Sequence, residues 1–157
     1  MKRKIYLVGQ ISYNEQTYEW REIIWKYYKH SDNFEVINPC KCMFSSDALR
    51  LNNDNEYFNN FEFSKNLSLI PLIDYTYVKE SNIIIVNMNH YSKEKPMIGS
   101  FFELAWCALD PGKIVIGIFD GNPEDDYQCK NPFVSRAVNI WVKYAADACD
   151  LIDYHLL

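Results

Sequence analysis

No glycine-rich phosphate loop occurs in the chain. The single glycine of Gly9-Gln10-Ile11-Ser12 stands where a dinucleotide fingerprint needs several, and no glycine run ends in Gly-Lys-Ser or Gly-Lys-Thr. Binding of NAD or ATP through such backbone cradles is therefore not supported. The histidines His30, His90 and His155 are scattered, and Cys40-Lys41-Cys42 has no second cysteine pair at finger-like spacing, so neither a metal nor another cofactor is expected. Five cysteines make no even disulfide framework; reduced, mostly buried thiols are the simpler reading, with Cys107 and Cys149 in apolar helical patterns. No apolar run approaches the ~20 residues that span a bilayer. The start, Met1-Lys2-Arg3-Lys4, leads directly into a strand-like run rather than a secretory signal, which makes a cytoplasmic location the expectation. A formal net charge of -5 gives no general attraction to polymeric nucleic acid or to an anionic membrane.

What is present is an ordinary globular composition, 48% hydrophobic and 24% charged, which suits one domain over 1–157 with a single core. Apolar runs alternate with amphipathic ones. Ile5-Tyr6-Leu7-Val8 reads as a strand, and Glu15 to Lys29 carries Trp20, Ile23, Ile24 and Tyr27 at helical spacing. Phe34 to Ile37 reads as a second strand, stopped by Asn38-Pro39. Ser45 to Asn66, rich in Asn, Asp and Phe, reads as a long loop with short helical pieces, in the manner of a lid. Leu67 to Ser81 reads as a helix despite Pro71, Gly121 to Asn131 as turns, Phe133 to Cys149 as one helix, and Leu151 to Leu157 as a short apolar tail. Near-continuous apolar strands in β-α-β alternation predict a parallel sheet with helices on both faces.

Within that alternation, Met97 to Trp106 lies between the apolar runs Ile83–Asn87 and Lys113–Phe119. Strand, helix, strand is the natural reading, which puts Glu103 in the first turns of a helix just past the carboxyl end of a buried strand. Open α/β sheets hold their ligands there. A carboxylate among apolar neighbours costs free energy unless it has partners or a task, so Glu103 is the first candidate for chemistry.

Several segments taken together resemble the nucleoside 2-deoxyribosyltransferase family, which includes related nucleotide N-glycosidases. They are Lys4-Ile5-Tyr6-Leu7-Val8-Gly9-Gln10-Ile11, Tyr18-Glu19-Trp20-Arg21, Asn38-Pro39, Ile70-Pro71-Leu72-Ile73-Asp74 and Gly99-Ser100-Phe101-Phe102-Glu103, in that order along the chain. The last is the most specific. The resemblance implies an α/β fold, a single Rossmann-like or flavodoxin-like domain, and cleavage of the N-glycosidic bond of a nucleoside or nucleoside monophosphate. By motif position Glu103 matches the nucleophile, Asp74 the acid near the nucleobase, and Tyr6 the tyrosine that holds the nucleophile. Gly9, Ser12, Asn87, Gly99 and Ser100 are the expected substrate-binding positions, with the two serines as candidates for a phosphate. Trp20 and Arg21 are expected to pack the first helix rather than touch substrate.

Each assignment has a plainer rival: Glu103 favouring a helix dipole, Asp74 as a solvated or capping residue, and Tyr6 as a core aromatic. The family's frequent aspartate shortly before the nucleophile is missing, because Lys95-Pro96-Met97-Ile98 offers none, and its frequent Ser-Asp before the central strand is Ser81-Asn82 here. That tilts the expectation towards water as sugar acceptor rather than a second base. A catalytically silent nucleotide-binding or signalling module on the same fold is the alternative. Because a neighbouring subunit commonly completes the pocket in this family, and the tail is apolar, a homo-oligomer is expected.

Overall fold

The computed structural model describes residues 1–12, 14–41, 61–93 and 96–156, with backbone alone over 61–68. Five strands form one sheet: β1 (Arg3–Gly9), β2 (Phe34–Ile37), β3 (Ile83–Asn87), β4 (Ile114–Ile118) and β5 (Ile140–Val142). Their order is β2-β1-β3-β4-β5, and every pairing is parallel. Among the described residues five helices pack on them: α1 (Gln16–Tyr28), α2 (Phe61–Glu80), α3 (Ile98–Ala108), α4 (Pro132–Ala137) and α5 (Ala145–His155). A short 3-10 turn, Pro39–Lys41, follows β2. This is the flavodoxin-like doubly wound arrangement. The chain departs from β1 in opposite directions to reach β2 and β3, so a crevice opens at the carboxyl ends of β1 and β3, where Gly9 is paired with Asn87.

Side-chain alternation along the strands builds two cores. Ile5, Leu7, Ile83, Ile85, Ile116 and Ile118 point to the layer of α1 and α5, whereas Tyr6, Val8, Ile84, Val86 and Val115 point to the layer of α2, α3 and α4. Because both faces are covered, the central strands read as unbroken apolar runs instead of alternating ones; all five residues of β3 are buried. The buried Lys113 ammonium donates to the carbonyls of Lys79 and Ser81 at 3.0 and 2.8 Å, which satisfies acceptors at the end of α2.

Three boundaries differ from those read in the sequence. The polar stretch Ser45 to Asn66 falls largely outside the described residues, but its last part is helical, since α2 begins at Phe61 and carries Pro71 in its interior. Phe133 to Cys149 is not one helix. Asn131 caps α4, accepting from the Phe133 N–H at 3.0 Å; α4 ends at Ala137, and Ile140–Val142 then joins the sheet edge as β5. Trp141 explains the strand: its ring covers Gly117 of β4 so closely that a Cβ there would fall 2.4 Å from it. Asn139 adds two bonds, donating to the Val115 carbonyl at 2.9 Å and accepting the Val115 N–H at 2.7 Å. Finally, the apolar tail is mostly the end of α5. Ile152 is completely buried in the chain's own core, so this segment does not call for a partner as its composition suggested.

Among the described residues no helix is long and apolar enough to cross a membrane.

Candidate active site

β1 brings Tyr6 inward on the α2/α3 side of the sheet, and its hydroxyl meets two acids carried by different helices. It lies 2.6 Å from Glu103 Oε1 of α3 and 3.1 Å from Asp74 Oδ1 of α2. Residues 68 and 97 positions apart are thus joined at one phenol oxygen. Tyr6 is wholly buried and Glu103 only 8% exposed. Asp74 sits well inside the long helix α2 instead of capping one, and Glu103 lies in the second turn of α3 with a specific partner, so neither plainer reading describes its surroundings.

The cluster borders a cavity of about 250 Å³ whose walls also include Gly9, Gln10, Ile11, Met97, Gly99 and Ser100. Of the expected substrate-binding positions, Gly9, Gly99 and Ser100 therefore line it. A Cβ on Gly99 would meet nothing within 4 Å, so that glycine leaves open space beside the start of α3. Ser12 and Asn87 do not line it. The Ser12 hydroxyl lies 2.8 Å from Thr17 Oγ1 and accepts the Asn14 N–H at 3.3 Å. Asn87 donates to the Tyr91 hydroxyl at 2.8 Å and accepts from the Asn89 N–H at 2.9 Å, which folds the loop after β3. Gln10, which the sequence reading passed over, ties that loop to β1: its Oε1 accepts the N–H groups of Tyr91 and Ser92 at 2.9 and 2.8 Å.

Burial, then repulsion from Asp74, pushes the Glu103 carboxyl up to about 8 from its ordinary value; the Tyr6 hydrogen bond and the Arg21 charge oppose this. Asp74 is also raised by burial, against the pull of Tyr6. Tyr6 is held protonated, chiefly by burial and then by both acids. A phenol has one proton to donate, so its two carboxyl contacts cannot both accept from it. The Tyr6 hydroxyl is placed to donate to Glu103 at 2.6 Å or to Asp74 at 3.1 Å, one at a time. The pair can therefore hold one ionised and one protonated carboxyl side by side, a division of roles that two solvated acids would not show at neutral pH.

Among the described residues no three His, Cys, Asp or Glu side chains gather as a metal site would require. The sequence reading gave Arg21 a packing role on the first helix and no place among the candidate site residues. It is completely buried at the turn after β1, and its one signal in sequence is a charged residue on the inward stripe of α1 with Trp20 and Ile24.

No protein-family model matches the chain, and no curated protein does. Among solved structures, a conserved protein from Enterococcus faecalis V583 superposes with a TM-score of 0.62 at 11% identity, over 98% of this chain and 98% of that one. At that identity the likeness concerns the fold alone.

Proposed function

We propose that this protein breaks the N-glycosidic bond of a deoxynucleoside or its monophosphate, in the manner of the nucleoside 2-deoxyribosyltransferases and nucleotide N-glycosidases its motifs resemble. The observation that carries the reading is the Tyr6 hydroxyl lodged between Glu103 and Asp74 at the edge of a cavity. The ionised Glu103 attacks the anomeric carbon as the bond to the nucleobase breaks; Asp74 gives its proton to the departing base nitrogen. The resulting glycosyl ester is opened at the same carbon by water, whose proton returns to Asp74, or by an incoming base. Glu103 is thereby released as carboxylate. Tyr6 steadies the Glu103 charge before attack and must relinquish it as the ester forms. A silent binding module would have no use for two raised, desolvated acids, whose burial costs stability.

We further propose a homo-oligomer, on different grounds from the tail. The only polar side chains of α3, Ser100 and Glu103, both face inward, and its outer face shows Ile98, Phe102 and, just past its end, Leu109, which is 82% exposed. Phe133 of α4, 84% exposed, borders the same apolar groove. An outward helix face made only of apolar side chains is normally covered, and this one lies bare in the single chain.

The test is incubation with a panel of deoxynucleosides and their monophosphates, with and without free adenine, and chromatography of the released bases and sugars. Base release that disappears in Glu103→Gln is expected, with free sugar exceeding exchanged nucleoside; no release from any member of the panel refutes the reading.

A further inference from the structure

Arg21 carries a full charge into the interior of α1's packing layer. Its Nη1 donates to the carbonyls of Thr17 and, at 3.3 Å, Gln10; its Nη2 donates to the Gly9 carbonyl at 2.8 Å. The guanidinium carbon stands 4.4 Å from the centroid of the Trp20 ring. Nε finds no acceptor, and among the described residues no carboxylate comes within ion-pair distance of it. Burying a cation without an adjacent anion costs several kcal/mol, a penalty that capping a turn does not require. The local backbone is shaped to admit it: a Cβ on Gly9 would come 3.3 Å from Nη2 and 3.1 Å from Trp20.

The two carbonyls at the end of β1 that Arg21 grips belong to Gly9 and Gln10, both of which line the cavity shared by Tyr6, Asp74 and Glu103. The charged or titratable groups that act on Arg21 are Cys40 of the 3-10 turn, Glu103 of α3, Tyr6 of β1 and Tyr18 of its own helix. Those around Glu103 are Asp74 of α2, Tyr6 of β1, Arg21 of α1 and Cys107 one turn further along α3. Among the described residues Arg21 is the positive charge in that group.

We propose that Arg21 is a positioning residue for glycosyl transfer: through the Gly9 and Gln10 carbonyls it holds the turn after β1 against the cavity, and its positive charge acts on Glu103 across that wall. Its use in catalysis rests on the proposed role of Glu103 as nucleophile; its electrostatic role does not.

The protonation midpoint of Glu103 can be read on the full chain by carboxyl carbon-13 NMR, with the resonance assigned by its loss in Glu103→Gln. In Arg21→Met, Glu103 should bind its proton roughly threefold to tenfold more tightly, so that the midpoint moves to higher pH. The acid limb of kcat/KM should move with it. Arg21→Lys keeps the charge but not the fork of hydrogen bonds; it should hold the midpoint within about twofold while raising KM. A folded Arg21→Met protein with an unmoved midpoint overturns the proposal. If that variant does not fold, Arg21→Lys decides: a retained midpoint supports the proposal, and a shift as large as tenfold overturns it. The NMR midpoint needs no substrate, so a protein that cleaves no nucleoside would refute the proposed function and still leave this inference decided.

Discussion

The two faces of the sheet are made by the same strands and have opposite characters. Towards α1 and α5, β1, β3 and β4 each contribute two aliphatic side chains, and the layer they meet is closed by Ile24, Ala148, Cys149 and Ile152. Towards α2 and α3 the alternate positions are equally buried, yet one of them is Tyr6, and the helices opposite bring Glu103 and Asp74 against it. The first face keeps its strand-borne side chains wholly apolar, and its buried polar groups, Arg21 and the Tyr28 hydroxyl, are carried by α1. The second gives up part of that burial to keep two acids out of water, where each is more easily protonated and each alters the other. Stability and chemistry are thus divided between the odd and even positions of β1.

That division can be broken most severely at Glu103. Glu103→Gln should lower turnover by ~10³-fold or more by removing the attacking oxygen, with a normal far-UV spectrum. The same variant should also be the more stable protein at high pH. Because the folded-state carboxyl is raised to about 8 above its ordinary 4.5, folding favours the neutral acid. That contribution is fully present below the ordinary carboxylate range and is lost as pH rises through the folded value. A neutral Gln loses nothing over that interval, so its advantage in thermal denaturation should grow from about pH 5 to about pH 8, to roughly 2–4 kcal/mol. A constant offset across that range would show that Glu103 is not desolvated as the geometry indicates.

On the sealed face the effects should invert. Ile85→Ala empties a fully buried site and should cost ~2–5 kcal/mol in denaturant unfolding while kcat, measured well below the melting temperature, stays near the parent value. A large fall in kcat with intact folding would mean the two faces are coupled more tightly than their packing suggests.

Asp74→Asn should reduce kcat by ~10²-fold through loss of the proton donor. An unchanged kcat in a folded Asp74→Asn protein would remove Asp74 as the proton donor. Smallest should be Tyr6→Phe, with roughly a tenfold fall in kcat/KM and about 1 kcal/mol in stability, since the ring remains packed and only the bridging hydroxyl is lost. Its readout is a crystal structure or NMR titration in which Glu103 is still buried but binds its proton more tightly.

Much of the frame was legible because strand and helix periods are local properties. Ile83–Asn87 and Ile114–Ile118 announced themselves as buried parallel strands, and Gln16–Tyr28 as a helix, without knowledge of any neighbour. β5 was missed because three residues cannot carry a period. The aromatic and β-branched Ile140-Trp141-Val142 was the available hint, but it becomes a strand only through the β4 ladder and the fit of Trp141 over Gly117. The same distinction separates the substrate-binding positions. Gly9, Gly99 and Ser100 line the cavity because they sit at element ends facing the crevice, whereas Ser12 and Asn87, equally near strand ends, have their side chains engaged by the loops that follow them.

By itself, then, the sequence determined the β-α alternation, the faces each strand presents and the placement of Glu103 beyond a buried strand, since all of these follow from local spacing. Tertiary structure alone decided that Tyr6 would bridge Glu103 and Asp74, that Arg21 would be enclosed beside Gly9 and Gln10, and that the outer face of α3 would be left bare in the single chain. The reason is physical. The order β2-β1-β3-β4-β5 sets which distant segments meet, and the shift of a carboxyl's proton affinity depends on the burial and charges it meets there, quantities no local window contains.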